Sequence, residues 1–98
     1  MRPTIVCLCG SARFYQQFQD ANDRETMNGK IVLSTVHAPG ITPEQKEELD
    51  VLHLEKVKIA DEVLILNVGG YIGASTAREL AYALELGKSV RFLEETGL

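Results

Sequence analysis

Four short, nearly all-apolar runs alternate along the chain with longer stretches whose apolar residues recur every three or four positions. The runs are Thr4-Ile5-Val6-Cys7-Leu8-Cys9, Ile31 to Val36, Glu62 to Asn67 and Ser89-Val90-Arg91-Phe92-Leu93. A run without polar alternation marks a strand covered on both faces, and the wider spacing marks helices. The order β-α-β-α-β-α-β then demands a parallel sheet with helices on both sides.

Right-handed crossovers leave few arrangements, and the expected one is a flavodoxin-like, three-layer α/β/α fold with a four-stranded parallel sheet ordered 2-1-3-4. Gly29 is placed to end the first helix, which carries Phe14, Tyr15, Phe18 and Ala21 on one face. Thr42-Pro43-Glu44-Gln45 opens the second as a capping box and carries it to about Ala60. Its core face is expected to hold Leu49, Leu52, Val57 and Ala60; Val51, Leu54 and Ile59 are left for another contact. The third helix is expected from Thr76 to Leu86, with Ala77, Leu80, Ala81 and Leu84 inward and Gly87 closing it.

The chain of 98 residues is long enough for one domain, residues 1–98, and no more. No apolar run approaches the ~18 residues of a membrane span. The formal charge of −4 comes without a basic stripe, which argues against nucleic-acid and membrane partners. Met1-Arg2-Pro3-Thr4 has no apolar leader region, so the expected location is cytoplasmic. Cys7 and Cys9 are expected to share one face of the first strand as buried thiols of a reducing compartment. A zinc site would need partners such as His37 and His53, whose spacing fits no common pattern, so neither a metal nor a cofactor is expected.

In a sheet of this order ligands bind beyond the carboxyl ends of the strands, near the reversal in strand order. Two turns rich in small residues fall there: Gly10-Ser11-Ala12-Arg13, and Gly69 through Thr76 with Gly70, Tyr71 and Ser75. Gly10 and Ser11 open a helix, where free N–H groups favour an anion and Arg13 adds charge; equally, Ser11 could merely cap the helix. Glu79 lies three residues after Thr76 and reads either as half of a capping box or as a nucleophile kept ionised by the helix start. His53 is either a tolerated core-edge residue or an acid or base working near neutral pH.

At these residues the chain resembles the nucleoside 2-deoxyribosyltransferase-like family, which includes 2′-deoxynucleoside 5′-phosphate N-hydrolases. The likeness rests on Leu8-Cys9-Gly10-Ser11-Ala12-Arg13, on Ala60-Asp61 before the third strand, and on Arg78-Glu79-Leu80-Ala81-Tyr82-Ala83-Leu84 followed by Gly87-Lys88-Ser89-Val90. It implies that Glu79 attacks the anomeric carbon of a (deoxy)ribosyl group and that water or another base captures the glycosyl-enzyme. It gives Gly10, Ser11 and Arg13 the 5′ side of the sugar or its phosphate, with Gly70, Tyr71, Ser75 and Thr76 on the facing turn. The chain departs from the family at two positions: His53 stands where an Asp is usual, and Gly73 where an Asp or Ser is frequent.

The resemblance implies a small-molecule nucleoside or nucleotide partner and a homodimer or larger assembly with a shared active site. Two other readings stay open. The turn Gly69, Gly70, Gly73, Thr76, Glu79 echoes the cytokinin-type phosphoribohydrolases, and a non-catalytic nucleotide-binding or sensor module needs Glu79 only as a cap.

Overall fold

The computed structural model describes residues 1–95; the last three residues of the expected domain lie outside it. The elements are β1 (Ile5–Cys9), α1 (Tyr15–Met27), β2 (Ile31–Leu33), α2 (Pro43–Ile59), β3 (Glu62–Ile65), a 3-10 turn at Val68–Gly70, α3 (Ala74–Glu85) and β4 (Ser89–Phe92). The strands form one parallel sheet in the order β2-β1-β3-β4, as the sequence pattern requires. Cys7 stands opposite Leu33 on one side and Val63 on the other, and Cys9 opposite Ile65.

The period-two geometry of β1 and β3 divides the core. Val6, Leu8, Leu64 and Leu66 pack with Phe18 and Ala21 of α1. Cys7, Cys9, Val63 and Ile65 face the other way, onto Val57 and Ala60 at the end of α2 and Ala83 of α3. Each fully buried Leu or Phe contributes about 1.5–3 kcal/mol, so both layers are needed to hold so small a sheet.

Local chemistry fixes the element ends. Thr42 Oγ1 accepts from the Gln45 N–H at 3.1 Å, and Gln45 Oε1 accepts from the Thr42 N–H at 2.9 Å, which completes the expected capping box. Gly29 follows α1 at a φ of 83°, a conformation that a side chain disfavours. Asp61 accepts from the Ile5 N–H at 2.8 Å and pairs with Arg2, so the start of β3 is clamped to the start of β1. At the other end of these strands, a Cβ on Gly10 would meet Leu66 Cβ at 3.0 Å. A side chain at position 10 would need the end of β3 to give way by a few tenths of an ångström.

Several expectations are corrected. β2 is only Ile31–Leu33, because beyond Leu33 the chain leaves the edge of the sheet for the loop before α2. Leu52 is exposed, and the covered face of α2 runs instead through His53, Val57 and Ala60. Tyr15 is half exposed; its ring makes a T-shaped contact with His37 and its hydroxyl accepts from Gln19 Nε2 at 2.9 Å. α3 begins at Ala74 with Gly73 as its N-cap and no side-chain cap bond. The Thr76–Glu79 capping box therefore does not form, and Glu79 sits in the second turn rather than the first. That start rotates the helix so that Thr76, Glu79 and Ala83 face inward, while Ala77, Ala81 and Leu84 face out. Among the described residues no helix is long and apolar enough to cross a membrane.

Candidate active site

The carboxyl ends of β1 and β3 open onto a cavity of about 340 Å³. That is within the ordinary size range of small-molecule sites. Gly10 and Ser11 line it from the β1 turn, Tyr71 and Gly73 from the turn after β3, Ser75, Thr76 and Glu79 from α3, and His53 from α2. Of the residues singled out in the sequence, Arg13 and Gly70 are not in the wall. The Arg13 guanidinium lies 3.9 Å from the centroid of the Tyr71 ring, held at the rim by a cation–π contact. Gly70 is exposed and serves the backbone of the turn at a φ of 81°.

The sequence reading missed Thr35, Lys46 and Asp50, which also line the cavity. Lys46 Nζ donates to Asp50 at 3.0 Å and to Ser75 Oγ at 3.3 Å, so it ties α2 to the first turn of α3. The signal was present: Lys46, Asp50 and His53 stand at i, i+4 and i+7, on one face of a helix. Asp50 also supplies a carboxylate one turn from the position where the resembled family has its Asp and this chain has His53.

Glu79 is buried, and its Oε1 lies 3.9 Å from His53 Nε2. Burial pushes the Glu79 carboxyl upward, and the His53 charge and a Cys9 hydrogen bond only partly oppose it. The net direction is up, so burial weighs more on this carboxyl than its neighbours do. Burial pushes the His53 ring down, but the Cys7 sulfur and the Glu79 carboxylate outweigh it and the net direction is up.

The expected pair of buried free thiols is present, but it is not isolated. His53 Nε2 stands 3.6 Å from Cys7 Sγ and 3.5 Å from Cys9 Sγ. A hydrogen bond from Cys9 holds the Cys7 thiol down at about 6 against the opposing effect of burial, with His53 assisting. Cys9, as the donor and the more buried partner, is raised. His37 lies elsewhere, against the rings of Tyr15 and Phe18.

No family model and no curated protein matches the chain. Among solved structures, a 2-deoxyribosyltransferase from the psychrotolerant bacterium Bacillus psychrosaccharolyticus matches with a TM-score of 0.72 at 20% identity, over 97% of this chain and 75% of that one. The chain has a nucleoside 2-deoxyribosyltransferase-like fold. A likeness at this identity is one of fold, so the roles of side chains rest on the chemistry of the cavity itself. In this 2-deoxyribosyltransferase-like frame, the cavity occupies the strand ends where sheets of this order bind ligands.

Proposed function

We propose that the chain cleaves or transfers the N-glycosidic bond of a (deoxy)nucleoside or its 5′-monophosphate, with Glu79 as the nucleophile. The observation that carries this reading is a single buried carboxylate, Glu79, in the wall of a nucleoside-sized cavity opposite the Gly10-Ser11 turn. The fold likeness supports the same class of chemistry.

A Glu79 oxygen attacks the anomeric carbon as the carbon–nitrogen bond breaks, and the electron pair of that bond leaves with the base. The departing base takes a proton from His53 or from water. Water or a second base then attacks the glycosyl-enzyme at the same carbon and releases Glu79, so configuration is retained. Ser11, Ser75 and Thr76 supply hydroxyls to the sugar. The uncapped N–H groups at the start of α3, with Lys46 and Arg13, favour a 5′-phosphate. Asp50 is available to the sugar or base from the α2 side.

α3 has no side-chain cap, so capping does not account for Glu79; the non-catalytic sensor reading rests instead on His53 and Gly73 standing where the resembled family has polar residues. We further propose that a neighbouring copy completes the cavity, seated on the outward apolar residues of α2 and α3. Incubation with a panel of nucleosides and 5′-monophosphates, with and without an acceptor base, tests the chemistry. Free or exchanged base that disappears in Glu79→Ala is the expected result. No release from any member of the panel, or release undiminished in that variant, overturns the reading.

A further inference from the structure

We propose that Cys7, Cys9 and His53 form a binding site for a thiophilic divalent cation, Zn²⁺ foremost. Two elements bring the donors together. β1 contributes both sulfurs from one face and α2 contributes the imidazole. The two sulfurs and a ring nitrogen of His53 all lie within 4.8 Å of one another. In a three-ligand site the fourth position is left to solvent.

The spacing suits the ion. A tetrahedral zinc with Zn–S of about 2.3 Å and Zn–N of about 2.0–2.1 Å holds sulfur and nitrogen about 3.5–3.6 Å apart. The two S···N distances are 3.6 and 3.5 Å. Hydrogen bonding alone serves this cluster poorly. Nε2 offers one proton or one lone pair, so it satisfies one of the two sulfurs at a time, whereas a cation satisfies both sulfurs and the ring nitrogen at once. Two thiolates and an imidazole select zinc over magnesium or calcium, which prefer oxygen. The donors are buried and held by packing, so the chain does not have to reorganise much to bind.

Ligation occupies the imidazole that the glycosyl-transfer reading assigns to the departing base. On that reading, and only on it, the metal-bound protein is the less active form and metal removal releases His53. The site itself does not depend on that chemistry.

Chelator-treated full-length protein titrated with Co²⁺ provides the test. One equivalent should bind, with thiolate-to-cobalt charge-transfer absorption and the visible bands of a tetrahedral ion. Zn²⁺ should displace the cobalt and raise the melting temperature. Cys7→Ser and His53→Ala should each abolish the charge-transfer bands or weaken binding at least about tenfold, while His37→Ala leaves them unchanged. The spectrum of the unsubstituted protein is decisive even where a variant fails to fold. Absence of charge-transfer absorption overturns the proposal, as does cobalt binding that survives in a folded Cys7→Ser, Cys9→Ser double variant. Base-release assays with chelator and with Zn²⁺ separately read the inhibitory consequence. Metal binding without any glycosidic activity refutes the functional reading and leaves the site intact.

Discussion

His53 Nε2 and Glu79 Oε1 face each other at 3.9 Å across the junction of α2 and α3, both buried. Burial opposes the Glu79 charge, and the folded state tolerates it at a cost to stability. The neutral isostere Glu79→Gln should therefore raise the melting temperature at neutral pH while eliminating base release. A gain on the order of 1 kcal/mol corresponds to about 4–8 °C in a domain of this size. Calorimetry of the metal-free protein checks it, and a lower melting temperature contradicts the cost assigned to the carboxylate.

The Arg13 guanidinium is held over Tyr71 at the rim, outside the cavity wall. On the proposed reading it meets the 5′ end of a substrate rather than the sugar. Charge-assisted hydrogen bonds contribute about 1.5–3 kcal/mol, so Arg13→Ala should raise KM for a 5′-monophosphate about tenfold or more. The corresponding free nucleoside should be little affected. Equal losses for the two substrates would remove Arg13 from phosphate recognition.

Acid should destabilise the protein through carboxylates far from the cavity. The Arg2 guanidinium and the Ile5 N–H hold Asp61 well below the usual carboxylate range. Glu62 and Glu25 are pushed up by burial, but the Lys30 and Arg91 cations outweigh it and both end lowered. A carboxyl lowered on folding adds stability that is present above its unfolded value, about 4, and is lost as pH falls through the folded value. Stability should accordingly fall below about pH 4. In Asp61→Asn it should be lower at neutral pH and decline less steeply in acid, as denaturant titrations at several pH values would read. An unchanged slope would rule out the clamp as a source of acid sensitivity.

On the outer surface Val51, Leu52 and Ile59 of α2 are 65, 52 and 58% exposed, and Leu84 of α3 is 60% exposed. Apolar groups in this number on adjoining helices favour burial against another copy. Light scattering at micromolar concentration should give a dimer or larger, and a Leu52→Glu, Leu84→Glu variant should dissociate without unfolding. A monomeric parent protein would contradict the assembly and with it the shared cavity.

The layered fold was legible because strand and helix periods are local. The apolar runs, the Thr42–Gln45 box and Gly29 each announce an element from a few neighbouring residues. The phase of α3 was not, because it follows from the turn before it. Gly69 and Gly70 both take positive φ and deliver the chain into a helix at Ala74, two residues before the polar pair that resembled a cap. Of the inward stripe expected there, Leu80 still packs on the core, while Ala77, Ala81 and Leu84 face out. Glu79 and the Gly10-Ser11 turn were found from their residue types and from the strand ends they follow. The meeting of His53 with Cys7 and Cys9 spans 46 and 44 residues and depends on how α2 lies across β1, which no spacing rule encodes.

The alternation along β1 has a practical corollary for protein engineering. Val6 and Leu8 pack in the layer built around Phe18, whereas Cys7 and Cys9 belong to the layer that carries His53 and Glu79. A designer could refill the α1 side with other apolar shapes and retune thermal tolerance without rewriting the reactive side. The same five-residue strand thus offers two independent dials, one mechanical and one chemical.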